Sequence, residues 1–320
     1  MQTNLKLSLL NSMLRIRMVE EELANRYAEQ EMRCPMHLCI GQEAIAVGVS
    51  HALTQQDKVF SNHRAHGHYL AKGGDLIAMI AELYGRDIGC CGGRGGSMHM
   101  IDQTVGFMGA TPIVGGTVPL AVGSAWASKL MNDGLVTVVY FGDGCFEEGV
   151  LHESMNFAAL HKLPVLFVCE NNDFSVYTRL ESRQPNRPIH KVAGAHGIKS
   201  QKADGNDVEL VYKLTEKAVK EIKADGGPQF MEFTAYRWRE HCGPDYDDHL
   251  NYRSRAEIEA GKQSCPVSRY KEQLASEGHL TDQLLNELNE KIHIEIDQAF
   301  AISKGARFPD LSDAMEHQYA

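Results

Sequence analysis

The chain lacks the marks of several protein classes, and each absence narrows what it can do. It has no basic block: 42 acidic residues outnumber 32 basic ones and the formal net charge is −10, a balance that repels polyanions and argues against a nucleic-acid partner. No apolar run reaches the roughly 18 residues that a membrane span needs. No charged n-region, apolar h-region and cleavage site open the chain. No membrane partner and a cytoplasmic location are therefore expected. The eight cysteines show no paired zinc-like spacing; Cys90 and Cys91 are adjacent and the others scattered, which predicts reduced thiols rather than a disulfide framework. Internal repeats, linkers and low-complexity tracts are missing as well, so one domain is expected over residues 1–320.

What is there reads as an α/β protein. The 320 residues are 43% hydrophobic and 23% charged, enough to bury a large core. Residues 5–30 carry Leu9, Leu10, Met13, Leu14, Met18 and Leu23 at helical spacing, an amphipathic helix that must pack on something. A central block, about 40–236, alternates apolar strands, Gly turns and helices, the pattern of a doubly wound, mostly parallel sheet. Asn206 to Ala224 reads as a helix stopped by Gly226-Gly227-Pro228, and Phe230 to Tyr236 as the last core strand. A polar loop, 239–253, leads into a helical tail at about 254–305. N- and C-terminal helical extensions thus flank the sheet.

The most telling stretch is Gly142-Asp143-Gly144 followed downstream by Asn171-Asn172. Leu135 to Phe141 is a β-branched and aromatic run, a short buried strand. Phe146 to His161 follows with Leu151, Met155, Ala158 and Ala159 at helical spacing, and Val165 to Glu170 reads as a second strand. A crossover of this kind makes the two strands parallel. Asp143 and Asn172 then emerge together at the carboxyl edge of one sheet, where open α/β sheets place their ligands. A carboxylate and an amide oxygen beside a glycine and a helix N-terminus suit a hard divalent cation carrying a diphosphate. A Gly-Asp-Gly alone marks only a turn; the strands on both sides and the doubled Asn are what give it meaning.

That unit resembles the thiamine-diphosphate fingerprint, and the resemblance extends from about residue 8 to about 300. HLCIGQEA (37–44), HRAHGH (63–68), GRGGSMHM (93–100), IVGGTVP (113–119) and FGDG with CENN are similar, in that order, to the alpha subunits of thiamine-diphosphate-dependent 2-oxo acid and acetoin dehydrogenases. The resemblance implies the thiamine-diphosphate-binding fold, with thiamine diphosphate and Mg²⁺ as cofactors. Its metal ligands would be the side chains of Asp143 and Asn172 and the main-chain carbonyl of Phe174, within the six-oxygen octahedron that Mg²⁺ demands. Gly142 and Gly144 would let the backbone approach the phosphates, with Cys145 next to them among the cofactor contacts. Asn171 is placed behind these ligands.

The family clasps the diphosphate with an aromatic–Arg pair here, so the resemblance implies that role for Arg64, whose guanidinium is a planar, permanently charged fork; His63 stands where the family commonly has Tyr. The spacing H-x-x-H-x-H over 63–68 is a weak zinc pattern without partners elsewhere. Val114 lies where the family's loop approaches the aminopyrimidine, and Pro112 replaces the usual Gly there, removing an N–H. The glycine-rich run 92–97 resembles a phosphate cradle but precedes no strand-to-helix switch, so it reads as an ordered loop near the channel. His37 and His241 match the family's pair at the channel mouth, where an imidazole titrating near neutrality can move protons.

Two features set this chain apart. Lipoyl-linked members typically read Tyr-His-Gly-His-Ser after the last core strand; here Arg239, Glu240 and Cys242 replace the first His, the Gly and the Ser. Phosphorylation at that Ser is excluded for want of a hydroxyl. The chain also has length for one cofactor-binding α/β domain, whereas the family's activating Glu against the aminopyrimidine belongs to a beta subunit. The resemblance therefore implies half an active site, completed in an α₂β₂ assembly. The expected reaction is oxidative decarboxylation of a small 2-oxo acid, or acetoin cleavage, with acyl transfer to a lipoyl acyltransferase. A non-oxidative decarboxylase or carboligase subunit is the first alternative, and an assembly subunit without catalysis the second.

Overall fold

The computed structural model describes residues 1–32 and 34–315. Its strands are β1 (Lys58–Ser61), β2 (Phe107–Ala110), β3 (Thr137–Gly142), β4 (Val165–Asn171), β5 (Phe174–Ser175), β6 (Thr178–Arg179), β7 (Lys199–Asp204) and β8 (Gln229–Thr234). Among the described residues, six of them form one sheet in the order β2-β1-β3-β4-β8-β7, every neighbouring pair parallel. β5 and β6 pair separately as an antiparallel hairpin. The helices are α1 (Thr3–Tyr27), α2 (Glu43–His51), α3 (His66–Ala71), α4 (Leu76–Leu83), α5 (Thr117–Met131), α6 (Gly149–Leu160), α7 (Ile189–Ala195), α8 (Val208–Glu221), α9 (Arg255–Gln263), α10 (Pro266–Ser276) and α11 (Asp282–Gly305).

The central strands are buried on both faces, as a parallel sheet with helices on either side requires. Side chains alternate between two cores. Val138, Tyr140, Leu166, Val168, Met231 and Phe233 face a layer containing α1, α2, α8 and α10. Val139, Phe141, Val165, Phe167, Cys169 and Phe230 face α5, α6 and α7. Leu9, Leu10, Met13 and Leu23 of α1 are fully buried in the first core, so the N-terminal extension packs on the sheet's helical layer. α11 closes that layer through Ile292, Ile296, Ala299 and Phe300. No helix among the described residues is long and apolar enough to cross a membrane, and all eight cysteines are free thiols.

Element types follow the sequence, but several boundaries do not, α1 among them, which ends at Tyr27 and not at 30. The helix expected from Phe146 begins at Gly149, because Asp143–Glu147 forms a 3₁₀ turn and Glu148 is extended. The Gly-Asp-Gly turn therefore sits on a short 3₁₀ segment, not at the N-terminus of an α-helix. α8 stops at Glu221, before a widened turn that places Asp225 in left-handed conformation (φ 62°). β8 stops at Thr234 because the chain then turns toward residue 40, where Trp238 N–H donates to the Ile40 carbonyl at 3.2 Å.

Candidate active site

Five of the six sheet strands deliver residues to one cleft. Asn62, His63 and Arg64 follow β1, Val114 and Gly115 follow β2, and Gly142 to Cys145 close β3. Asn172 and Phe174 follow β4, while Arg237 and His241 follow β8. The cleft is open to solvent and holds about 620 Å³ of empty space, solvent included. It lies at the carboxyl edge where neighbouring β1 and β3 send their connections in opposite directions, the switch point at which such sheets bind ligands.

At its floor Asp143 is 1% exposed and pairs with Arg183, which also pairs with Glu147. Gln184 Nε2 donates to the Asp143 carbonyl at 3.1 Å and to Glu147 at 3.0 Å. Burial pushes the Asp143 carboxyl above its ordinary range, with Arg183 pulling the other way. Asn172 donates Nδ2–H to Gln42 Oε1 at 3.0 Å, and its Oδ1 accepts the Phe174 N–H at 3.2 Å. Those two bonds fix which end of the amide is oxygen. Asn171 turns away, donating to Glu232 at 2.9 Å and accepting from the Asp173 N–H at 3.0 Å.

The two glycines differ. A Cβ on Gly142 would meet only the Glu170 carbonyl, at 4.0 Å, so this position opens on the cleft. A Cβ on Gly144 would lie 2.9 Å from Ser175 Oγ; the missing side chain there makes room for β5, not for a ligand. Cys145 is buried and its thiol is pushed up to about 12 by burial, a neutral wall. The lining starts at Val114 in its loop and leaves Pro112 outside. The glycine-rich loop is not a phosphate cradle, because the chain fills it itself. One Glu82 oxygen accepts the N–H groups of Cys91 (2.7 Å) and Gly93 (2.9 Å), and the other those of Gly95 (2.6 Å) and Gly96 (3.1 Å).

Three histidines gather at the mouth. The His37 ring centroid is 4.6 Å from that of His63 and 5.0 Å from that of His241, and the latter two are 5.4 Å apart. Arg64 holds this corner together: 6% exposed, it donates to the Leu38 carbonyl at 2.5 Å and to the His241 carbonyl at 3.2 Å. Gly243 N–H adds a bond to the Met36 carbonyl at 2.8 Å. Burial, reinforced by the Arg64 charge, drives His37 down to about 2 and His63 and His241 to about 3. The imidazoles are therefore neutral at neutral pH in the free chain, which corrects the expectation of titration near 7. Arg237 Nη1 lies 3.3 Å from His241 Nδ1; a guanidinium can only donate, so Nδ1 accepts and Nε2 carries the proton. The substituted loop is stapled: Glu240 N–H donates to the Asp245 carbonyl at 2.9 Å, Asp245 N–H to Glu240 Oε1 at 3.0 Å, and Arg239 stacks on Tyr246.

His63, Arg64, Val114, Gly142, Asp143, Gly144, Cys145, Asn172, Phe174 and His241 all reach one cleft, with His37 against its rim. Gln42, Glu170, Arg183 and Arg237 were not anticipated. Gln42 lies inside HLCIGQEA and Arg237 directly precedes Trp238, so both were within reach of the motifs; Arg183 has no motif, its role depending on the β5–β6 hairpin that folds it back over the turn. His66 and His68 do not join His63. His66 bridges Glu20 (2.5 Å) and Ser97 (2.7 Å), and His68 bridges Ser61 (2.7 Å) and Glu170 (3.1 Å).

Comparison with known proteins agrees with this architecture. The family described as dehydrogenase E1 component matches residues 11–312. The chain is 35% identical over 309 residues to the alpha subunit of acetoin:2,6-dichlorophenolindophenol oxidoreductase of Bacillus subtilis, covering 96% of this chain and 91% of that one. It is 38% identical over 299 residues to the pyruvate dehydrogenase E1 component subunit alpha of Zymomonas mobilis, covering 93% and 83%. To the mitochondrial pyruvate dehydrogenase E1 component subunit alpha-1 of Oryza sativa it is 36% identical, covering 95% and 77%. With the match spanning nearly its whole length, the chain belongs to the dehydrogenase E1 component family.

Proposed function

We propose that the chain is the alpha subunit of a heteromeric thiamine-diphosphate-dependent dehydrogenase acting on a small 2-oxo acid or on acetoin, with a lipoyl domain as acyl acceptor. The observation that carries this reading is the buried Asp143 carboxylate beside the oriented Asn172 amide at the switch point of the sheet. The donors fit: Asp143, Asn172 and the Phe174 carbonyl offer only oxygen, the preference of Mg²⁺. Arg64, His63 and Gly142 line the same cleft, where a guanidinium and an open glycine would suit a diphosphate. When bound, thiamine diphosphate would supply a nucleophilic carbon and an electron sink for cleavage of the bond next to the substrate carbonyl.

The chain's own residues bind and orient. Arg64 ties the His37 and His241 segments into one rim, so the geometry of both imidazoles depends on one buried guanidinium. His241 presents an Nε2–H, set by Arg237, as a donor toward a substrate oxygen. A beta subunit completes the site with a carboxylate against the aminopyrimidine. The test is the co-purified alpha–beta pair, offered a panel of 2-oxo acids and acetoin with an artificial electron acceptor. Substrate-dependent reduction of the acceptor by the pair, and none by the alpha chain alone, is expected. Product formation without acceptor reduction would replace this reading with a non-oxidative decarboxylase or carboligase.

A further inference from the structure

One ring nitrogen from each of His37, His63 and His241 lies within 4.8 Å of the other two. The three come from separate segments: the stretch before α2, the end of β1 and the loop after β8. His37 is 7% exposed, and its Nδ1 has no hydrogen-bond partner. A buried polar atom left unsatisfied is destabilising, so this nitrogen is a donor or acceptor awaiting something. His66 and His68 cannot help, each being held on both ring nitrogens by Ser and Glu partners. Three imidazoles with no carboxylate among them form a donor set for a borderline first-row ion, not for Mg²⁺.

We propose that His37, His63 and His241 form a second metal site that takes Zn²⁺ or a similar imidazole-seeking divalent ion at the mouth of the cleft, leaving the fourth position to water or an anion. The site depends on the histidine at 63; a tyrosine there would leave two imidazoles, too few to hold the ion. Tetrahedral zinc with Zn–N near 2.1 Å puts its nitrogens roughly 3.4 Å apart, so nitrogens now within 4.8 Å close by at most about 1.4 Å, a shift to which half-buried His63 contributes. Two charges oppose the ion. Arg64 and Arg237 stand beside the cluster, and His241 must give up its contact with Arg237 or bind through Nε2. They lower the affinity and favour an anionic fourth ligand, such as a carboxylate.

The test uses the alpha–beta enzyme in excess Mg²⁺, with Co²⁺ as the probe read by its visible d–d absorption and Zn²⁺ binding measured by calorimetry. One further ion per alpha chain is expected. His63→Tyr and His37→Gln should each weaken it by more than the about 10–100-fold that loss of an outer-shell partner costs. Asp143→Ala should leave the Co²⁺ band in place, which separates this site from the cofactor cation. Circular dichroism checks that each variant folds, and either histidine variant serves if the other does not. Absence of a saturable band in the wild-type enzyme, or wild-type affinity in both histidine variants, overturns the proposal. So does a band that Asp143→Ala removes.

Discussion

Arg183 sets its guanidinium on the carboxylate of Asp143, the group on which the proposed cofactor cation would sit. Asp143 is 1% exposed and the Arg183 side chain 9%, so neither charge is well solvated without the other. Breaking a buried pair by removing one partner costs about 3–5 kcal/mol, and a bound cation would restore much of it. Arg183→Met should therefore lower the unfolding midpoint of the cofactor-free chain. It should also enlarge the rise in midpoint that Mg²⁺ with thiamine diphosphate produces, since a ligand stabilises by binding the folded state alone. An identical rise in variant and wild type would separate Arg183 from the cation's seat.

The histidine cluster gives stability a pH dependence of definite sign. His37, His63 and His241 have folded values of about 2, 3 and 3 against about 6.5 unfolded. The unfolded chain therefore binds more protons below 6.5, and the stability these neutral rings contribute is full above that pH and lost as it falls toward 3. One unit below 6.5 each ring accounts for about 1.4 kcal/mol. Urea unfolding at pH 7.5 and 5.5 should show the loss, and His63→Phe should reduce it by about one ring's share. A slope unchanged by that substitution would mean that His63 titrates alike in the folded and unfolded chain.

How much of this was legible beforehand depended on the range of the interaction. Val138 to Phe141 and Val165 to Cys169 announce a sheet buried on both faces because strand burial is a local property of the apolar run. Asp143 and Asn172 were readable as a pair for the same reason, one crossover linking them. The start of α6 was not, because Arg183 and Gln184, far along the chain, hold Asp143 and Glu147 in a 3₁₀ turn. Nor was the filling of the glycine-rich loop by Glu82, a helix residue whose carboxylate nothing in its own neighbourhood singles out. The three-histidine cluster lay hidden because its members share no spacing, while the visible H-x-x-H-x-H run sends its second and third rings elsewhere.

The loop after β8 carries a prediction of its own. Glu240 closes it through two bonds with Asp245, and Gly243, at φ 126°, sits against the Glu240 carboxylate. Glu240→Gly removes the staple and adds backbone freedom, so amide exchange over residues 240–246 should quicken. Acceptor preference or product distribution should change more than cofactor affinity. Unaltered exchange rates would assign the loop's order to Arg239 and Tyr246 instead.

His241 tests the rim. If it hydrogen-bonds a substrate oxygen, His241→Ala should keep cofactor affinity within a few-fold and lower turnover by about 10²–10⁴-fold, the usual worth of a positioned acid–base group. Turnover at the wild-type rate would make the ring a wall of the channel.

The central claim is that this chain holds the diphosphate through a cation seated on Asp143 and Asn172. Calorimetric titration of thiamine diphosphate into the alpha–beta enzyme, with Mg²⁺ and with chelator, measures it directly. Binding in the wild type should require Mg²⁺, and Asp143→Ala with Asn172→Ala should abolish that metal-dependent binding while the assembly stays intact. Undiminished affinity in the double variant, or equal affinity with and without the metal, would contradict the account.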